Sequence, residues 1–296
     1  MAALSPGSTV LVTGASGAIG ERVLRALAAE GMRTRALVHR RAAPGAGEEA
    51  RGDLSDAESL RVAAQGAEGV LHMAAITHSR RPARYREINR DGTAGLVGAA
   101  REAGIERFVH VSTRAIAAEG GAYSNSKREA EELVGRSGLD HVIVRLPEVI
   151  GTRGREGVDG VIDRARRGAR IPVVGSGEQP LCPIAVDDAV AALVAALSSD
   201  RAGGRTFTLA GECLSEREFA EACIRAFGSS SEIVSVPVPA IAAASVLARV
   251  APLPIYPDQL ARHRAPKPGV SPEARAGLGF SPTSLDQVLE RLAAPG

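Results

Sequence analysis

The chain has 296 residues, 45% hydrophobic and 24% charged, a balance typical of a globular protein rather than a disordered, collagen-like or disulfide-stapled chain. Its 36 Lys and Arg against 34 Asp and Glu give a net charge of only +2, and aromatic residues make up 3% with no Trp. Because no strong basic excess is present, no nucleic-acid partner is expected.

Short β-rich runs alternate with helical patterns through the first half of the chain. The predicted elements, in chain order, are strand 9–12, helix 19–28, strand 34–38, helix 55–64, strand 69–73, helix 84–103, strand 107–111, helix 122–135 and strand 141–146. The capping-box spacing of Ser55 and Glu58 marks the start of the second helix. Such alternation predicts an α/β fold with a doubly wound parallel sheet, covered on both faces.

The pattern loosens after Gly151, where Gly, Pro and Arg become frequent. The elements predicted beyond it are helix 187–197, strand 205–209, helix 216–227 and strand 233–236. The proline-rich tail 252–282 is expected to wrap the surface. We therefore predict a core over 1–150 and a small substrate-side lobe over 151–296, interleaved with the core because 187–210 returns to it.

Cysteine usage and hydropathy favour a cytoplasmic protein. Cys182, Cys213 and Cys223 show no CxxC spacing, so buried free thiols are expected rather than disulfides or a zinc site. The longest apolar stretch, about 236–255, is broken by prolines and Arg249, and it does not predict a membrane span. The N-terminus shows no signal-peptide pattern. The histidines lack ligand spacing, so no metal is expected.

The strongest local signal is the segment TGASGAIG at residues 13–20, between a predicted strand and a predicted helix. Its glycines follow the spacing GxxGxxG. Glycine lets the backbone approach a pyrophosphate, and the helix N-terminus supplies free N–H groups and the positive end of the helix dipole. The residues predicted to bind a dinucleotide here are Gly14, Ser16, Gly17, Ala18, Ile19 and Gly20.

The residues after the second strand bear on the choice of cofactor. His39, Arg40 and Arg41 stand where an acidic residue would bind the ribose 2′-OH of NAD, whereas Arg suits the 2′-phosphate of NADP. A solvated basic edge is the alternative interpretation. Asp53, followed by Leu54, is either an acceptor for the adenine amino group or a turn residue. NADP is therefore the expected cofactor, with NAD as the alternative.

Tyr123 and Lys127 form a YxxxK pair on a predicted helix, where one turn places both side chains on the same face. With three Tyr and two Lys in the chain, roughly 0.02 such pairs are expected by chance. A neighbouring ammonium favours the phenolate and brings the phenol closer to working pH as a proton donor and acceptor. Ser112 and Thr113 end the preceding strand, where a hydroxyl either binds the same substrate oxygen or caps the strand.

These features resemble the short-chain dehydrogenases/reductases, in particular their extended or atypical branch, over nearly the whole chain. The matching segments are TGASGAIG, GDL, HMAA at 72–75, Asn89 with Gly92 and Thr93, FVHVST, YSNSK, RLPEVIGTRG, AVDDAVAAL and LGFSP. The resemblance implies a Rossmann fold with a C-terminal substrate lobe. It also implies cofactor contacts at Ala74, Ala75 and Pro147, and a mainly structural Asn89.

The same resemblance implies the catalytic roles. Tyr123 matches the acid/base, and Lys127 matches the residue that tunes it and holds the nicotinamide ribose. Thr113 matches the hydroxyl that binds the substrate oxygen, with Ser112 as its close alternative.

Three features depart from the sugar-nucleotide enzymes of this branch. Only nine residues separate Thr113 from Tyr123, a short interval for the extended branch. Glu148 stands where those enzymes carry Asn, and Pro180 with Leu181 occupies the place where they present Arg to a diphosphate. Because bidentate Arg is the usual partner of phosphate groups, a nucleotide diphosphate sugar is not the expected substrate.

The leading hypothesis is an NADP-dependent oxidoreductase that reduces the carbonyl of a small non-nucleotide substrate, with Tyr123 as proton donor and Thr113 holding the oxygen. An NAD(P)-dependent epimerase of a sugar or sugar nucleotide would use the same residues without net consumption of cofactor. A non-catalytic NADP-sensing subunit is the third hypothesis. Besides a small-molecule substrate, a homodimer is the partner that the sequence leaves open, and no membrane partner is expected.

Overall fold

Strands and helices alternate along the chain, which the computed structural model describes over residues 3–117, 119–152, 154, 157–248, 256, 258–264 and 269–294. The strands are β1 (Thr9–Thr13), β2 (Arg33–Val38), β3 (Glu48–Arg51), β4 (Gly69–His72), β5 (Arg107–Thr113), β6 (His141–Leu146), β7 (Val149–Ile150), β8 (Ile171–Val174), β9 (Pro180–Leu181), β10 (Ile184–Ala185), β11 (Arg205–Thr208), β12 (Leu214–Ser215) and β13 (Ile233–Val236).

A π-helical segment, Arg86–Asp91, lies between the helices Pro82–Tyr85 and Gly92–Glu102. The helices are α1 (Ala18–Ala29), α2 (Ala57–Ala64), α3 (Pro82–Tyr85), α4 (Gly92–Glu102), α5 (Gly121–Gly135), α6 (Gly157–Arg166), α7 (Val186–Ser198), α8 (Glu216–Ala226), α9 (Val238–Leu247), α10 (Gln259–Arg264), α11 (Ala274–Leu278) and α12 (Leu285–Ala293).

Seven parallel strands form the central sheet in the order β3-β2-β1-β4-β5-β6-β11. The predicted α/β fold with a parallel sheet is confirmed. The strand order reverses at β1, which lies between β2 and β4. In open α/β sheets, ligands bind beside the carboxyl ends of the strands at such a reversal. The turn after β1 and the loop after β4 therefore meet where a ligand crevice is expected.

Different helices cover the two faces of the sheet. In β1, Val10 and Val12 belong to the core formed with α1 and α7, whereas Leu11 belongs to the core formed with α2, α4 and α5. All five residues of β1 are buried. A strand covered on both faces carries apolar side chains in both directions, which explains the continuous apolar run in the sequence.

A smaller lobe follows the first six strands of the sheet along the chain. In this lobe β8 pairs with β13, β7 pairs with β10, and β9 pairs antiparallel with β12. Its core includes Ile162 of α6, Ile171 of β8, Phe219 of α8 and Leu289 of α12. Between these elements the chain crosses to the main sheet, because β11 pairs with β6 and Leu193 of α7 packs in the main core.

Two local predictions about helices are wrong. The N-cap of α2 is Asp56, whose carboxylate accepts from two backbone N–H groups of the first turn, and Ser55 instead donates its hydroxyl to Asp53. The continuous helix predicted over 84–103 starts earlier and contains the π-helical segment Arg86–Asp91. A pattern with a 3.6-residue period does not detect the wider π turn.

Cys182 and Cys213 form a disulfide, with their Cα atoms 4.1 Å apart. The expectation of free thiols is therefore wrong for these two residues. Cys182 follows β9 and Cys213 precedes β12, so the antiparallel pairing of Leu181 with Leu214 brings them together. Cys223 is a buried free thiol, and burial raises its pKa to about 12. Among the described residues, no helix is long and apolar enough to cross a membrane.

Candidate active site

The turn between β1 and α1 lies against the end of β4. Gly14 has φ +75°, and a Cβ atom there would lie 2.9 Å from the backbone nitrogen of Ala74. A Cβ atom on Gly20, inside α1, would lie 2.4 Å from the carbonyl oxygen of Gly14. Both distances are too short for a side chain, so the close packing of this turn requires glycine at both positions.

The start of α1 offers backbone donors to the crevice. Gly17 is the N-cap residue and has no side chain to occupy the N–H groups of the first turn. Those groups, on Ala18, Ile19 and Gly20, have no acceptor within the helix. Ser16 precedes the N-cap. The turn and the helix N-terminus together fit a dinucleotide pyrophosphate, because glycine in the turn permits a close approach and the first-turn N–H groups of α1 can donate to an anion.

A series of hydrogen bonds fixes the end of β4 beside this turn. Thr13 Oγ1 accepts from the backbone nitrogen of Ala74 at 3.1 Å and lies 2.7 Å from His72 Nδ1. On its other side, His72 Nε2 lies 2.8 Å from Thr93 Oγ1. Burial lowers the pKa of His72 to about 3, so the ring stays neutral. The network positions Ala74 and Ala75, two of the predicted cofactor contacts.

The residues predicted for the adenosine end lie beyond β2 and β3. Asp53 Oδ1 accepts from the backbone nitrogen of Ser55 at 2.8 Å and from its hydroxyl at 2.6 Å, which holds the pKa of Asp53 below its usual range. Asp53 Oδ2 lies 3.1 Å from Nδ1 of the exposed His39. Leu54 packs against the first residue of α4. Arg40 is exposed beside His39, where its guanidinium is accessible to an anion.

Lys127 is buried on α5 with its ammonium group at the end of β5. Lys127 Nζ donates to the carbonyl oxygen of Val111 at 2.8 Å and lies 3.3 Å from His110 Nε2. Burial lowers the pKa of Lys127 to about 8, although the carboxylate of Glu131 opposes this shift. Burial and the charge of Lys127 lower the pKa of His110, so its neutral Nε2 acts as the acceptor. Two acceptors thus fix the orientation of the ammonium group.

Tyr123 lies one helical turn before Lys127, with 7% of its surface exposed. Burial raises its pKa, opposed by the positive charge of Arg262 and by a hydrogen bond with the Thr113 side chain. The expected lowering by Lys127 is therefore not found, because desolvation of the phenol outweighs the nearby charges. The Ser112 hydroxyl is buried without a partner among the described residues. It is Thr113 that contacts Tyr123.

Asn89 ties the loop after β4 to α5. Its side-chain oxygen accepts from the backbone nitrogen of Ile76 at 2.8 Å, and its nitrogen donates to the Ile76 oxygen at 3.0 Å. The same nitrogen donates to Ser126 Oγ at 3.1 Å. Because Ser126 lies between Tyr123 and Lys127 on α5, this clamp fixes the helix relative to the crevice.

Side chains that the sequence analysis missed cover the ring of Tyr123. Tyr85 packs edge-on against it with ring centroids 5.9 Å apart, and the guanidinium carbon of Arg262 lies 4.7 Å from its ring centre. Asp258, just before α10, accepts from the Tyr85 hydroxyl at 3.0 Å. We call Tyr85, Asp258 and Arg262 the tyrosine cover. No sequence motif marks these three residues. For Tyr85, the only hint in the sequence is that the chain contains just three Tyr.

Most of the predicted site residues lie along one edge of the sheet. Residues 14–20 follow β1, His39 and Arg40 follow β2, Asp53 and Leu54 follow β3, Ala74 and Ala75 follow β4, Ser112 and Thr113 end β5, and Pro147 follows β6. Carboxyl ends of parallel strands share an edge, which is why separate motifs converge here. No cluster of metal-ligating side chains occurs in the described part of the chain.

The fold and this crevice define the class of protein, an α/β enzyme that uses a nicotinamide dinucleotide. The model of the NAD dependent epimerase/dehydratase family matches residues 10–210 of the chain. The chain belongs to this family, and the resemblance to short-chain dehydrogenases/reductases is confirmed.

Relatives named as reductases and solved epimerase-like structures agree with this assignment. A "Ceramide reductase" of Caulobacter vibrioides (strain NA1000 / CB15N) is 32% identical over 256 residues, covering 80% of this chain and 76% of the relative. A "4-hydroxy-2-methyl-3-oxo-4-farnesyl-3,4-dihydroquinoline-1-oxide ketoreductase" of Stigmatella aurantiaca is 30% identical over 263 residues, covering 80% and 78%. MoeE5, solved with UDP-glucose and NAD, has a TM-score of 0.76 at 25% identity, covering 95% and 96%.

Proposed function

We propose that the protein reduces a ketone of a small non-nucleotide substrate with NADPH, Tyr123 donating the proton and Thr113 holding the oxygen. The observation that carries this proposal is the contact between Thr113 and a buried Tyr123 whose pKa is raised. A raised pKa keeps the phenol protonated at neutral pH, which suits a group that must give a proton to the oxygen of a ketone.

The side chains divide the reduction between them. A nicotinamide cofactor, when bound in the crevice, would supply the hydride for the carbonyl carbon. Thr113 and Tyr123 both hydrogen-bond the substrate oxygen, so its negative charge is stabilised as it develops and then neutralised by the phenolic proton. Lys127 uses Val111 and His110 to fix its ammonium group, which leaves a third N–H for a ribose hydroxyl.

The preference for NADPH rests on the residues after β2. Arg40 is exposed there, and the carboxylate that NAD-specific sites use is absent from this position. A guanidinium pairs with a 2′-phosphate through charge-assisted hydrogen bonds.

The proposal of a non-nucleotide substrate rests on the segment that, by the family resemblance, is expected to face a diphosphate. Pro180 and Leu181 form β9, which pairs with β12 and presents no cation from its own two residues. The names of the two reductase relatives contain no nucleotide, and one of them includes a farnesyl group beside the 3-oxo group. We therefore propose an apolar ketone as the substrate.

An epimerase of a sugar nucleotide is the second candidate, favoured by the likeness to MoeE5 solved with UDP-glucose and NAD. Calorimetric titration of the NADP-loaded protein with UDP and dTDP separates the two. We expect no binding in the micromolar range. Micromolar binding of either nucleotide would place the epimerase first.

Oxidation of NADPH across a panel of apolar ketones, aldehydes and sugar nucleotides tests the proposed reaction. We expect net NADPH consumption with apolar ketones and none with sugar nucleotides. Conversion of a sugar nucleotide without net consumption of cofactor would refute the reductase proposal, and an inert enzyme across the whole panel would support a non-catalytic role.

A further inference from the structure

The tyrosine cover contains a carboxylate oxygen that has no assigned use. Asp258 is 9% exposed, and its Oδ1 accepts from the Tyr85 hydroxyl at 3.0 Å. Its Oδ2 is buried and has no hydrogen-bond partner among the described residues. A buried acceptor without a donor carries a desolvation penalty, so a site of this kind favours a ligand that brings a donor.

The Tyr85 hydroxyl and one guanidinium nitrogen of Arg262 already have partners. The Tyr85 hydroxyl accepts from the backbone nitrogen of Ser79 at 2.7 Å and donates to Asp258. Burial and the charge of Asp258 raise the pKa of Tyr85, so this phenol stays a donor. Arg262 donates to the carbonyl oxygen of Thr77 at 3.2 Å. Asp258 Oδ2 is thus the acceptor that the cover leaves for a ligand.

Asp258 packs against the start of α5, the helix that carries Tyr123. A Cβ atom on Gly121, two residues before Tyr123, would lie 3.1 Å from the Asp258 Cβ atom. The Asp258 charge also acts on Tyr123 and contributes to its raised pKa. Asp258 therefore belongs to the group of side chains around Tyr123, together with Tyr85 and Arg262.

We propose that Asp258 is a substrate-recognition residue, whose Oδ2 accepts a hydrogen bond from a hydroxyl or N–H group adjacent to the reacting ketone. This inference rests on the proposed reduction for the position of the ketone. It narrows the substrate class to ketones that carry a donor on the neighbouring atom.

A matched pair of ketones tests the inference by binding, without any need for turnover. Calorimetry of the NADP-loaded protein compares 2-hydroxyacetophenone, which carries the donor, with acetophenone, which lacks it. We expect the hydroxyketone to bind about 10- to 100-fold more tightly, the range for a hydrogen bond to a charged group. Asp258→Asn should remove most of this ratio by weakening the hydroxyketone alone.

The variant Tyr85→Phe distinguishes a substrate-recognition role of Asp258 from a purely structural role. It removes the donor to Asp258 Oδ1 and leaves Oδ2 in place, so the binding ratio should persist. If Asp258 only anchors α10, Asp258→Asn will weaken both ketones equally and Tyr85→Phe will have the same effect. That result would overturn the inference. The inference would also fail if the unaltered protein bound the two ketones equally well or bound neither.

The same samples distinguish failure of this inference from failure of the proposed function. A binding preference that depends on Asp258, without NADPH oxidation by the unaltered enzyme, would refute the reductase and leave the recognition site standing. NADPH oxidation with equal kcat/KM for the two ketones would support the reductase and refute the recognition site.

Discussion

The cofactor crevice and the tyrosine cover are built from different kinds of contact. In the crevice, Gly14, Thr13 and Ala74 meet because β1 and β4 are neighbouring strands. In the tyrosine cover, the hydroxyl of Tyr85 at the end of α3 donates to the carboxylate of Asp258, which lies 173 residues later in the chain. Backbone packing thus fixes the cofactor end, whereas side-chain contacts between distant segments hold the tyrosine cover together.

Replacing Tyr123 by Phe should give the largest effect, because it removes the proposed proton donor, which lies between the two regions. We expect kcat to fall about 10²- to 10⁴-fold, the range for general acid catalysis. NADPH affinity, measured by fluorescence titration, should stay within about threefold because the crevice is untouched. A Phe variant with normal turnover would exclude Tyr123 as the acid.

Replacing Gly14 by Ala should distort the turn after β1 that forms part of the cofactor crevice. The residue has φ +75° and a Cβ would lie 2.9 Å from the Ala74 nitrogen, so we expect a loss of about 2 kcal/mol in the free energy of unfolding. NADPH affinity should fall at least about 10-fold as the turn shifts. Gly98→Ala is the matched control, since that glycine lies in α4 with nothing within 4 Å of its Cβ position. Urea unfolding should show the control unchanged or more stable.

Arg40→Asp tests the cofactor preference without touching the turn. We expect the Kd for NADPH to rise about 10- to 100-fold while the Kd for NADH changes little or improves, because the carboxylate repels a 2′-phosphate and accepts from a 2′-OH. Arg101→Asp makes the same charge change in the last turn of α4, at the opposite edge of the sheet. Equal affinities of the unaltered protein for NADPH and NADH would contradict the prediction.

The pH dependence of reduction gives the smallest and most specific effect. Lys127 has a pKa of about 8, so its ammonium group is present below that pH and is lost as the pH rises through it. Tyr123, with its raised pKa, stays protonated over the same range. We therefore expect kcat to fall above about pH 8.

Lys127→Arg provides the control for this pH profile. A guanidinium keeps its charge throughout this range, so whatever its absolute rate, the Arg variant should lose the falling limb. A limb that remains unchanged would assign the titration to a group other than Lys127.

The parallel α/β sheet, most of its strands and helices, and the positions of the motif residues could be predicted because they depend on local patterns. Apolar runs gave β1 and β6, and the YxxxK spacing on α5 needs one helical turn. The sign of the Tyr123 pKa shift could not be predicted, because desolvation depends on everything packed around the ring. The Cys182–Cys213 bond and the Asp258 contact join distant segments, and no periodicity encodes such pairs.

The disulfide has a mechanical consequence for the relation between lobe and sheet. Cys182 and Cys213 close a covalent ring, with a sequence separation of 31, that contains β10, α7 and β11. The ring closes in the lobe, next to the β9–β12 pair, while β11 and α7 are embedded in the main sheet and core. The ring therefore acts as a covalent link between the lobe and the main sheet. It limits how far the β9–β12 pair can separate from β11 and α7, and reduction of the bond removes that limit.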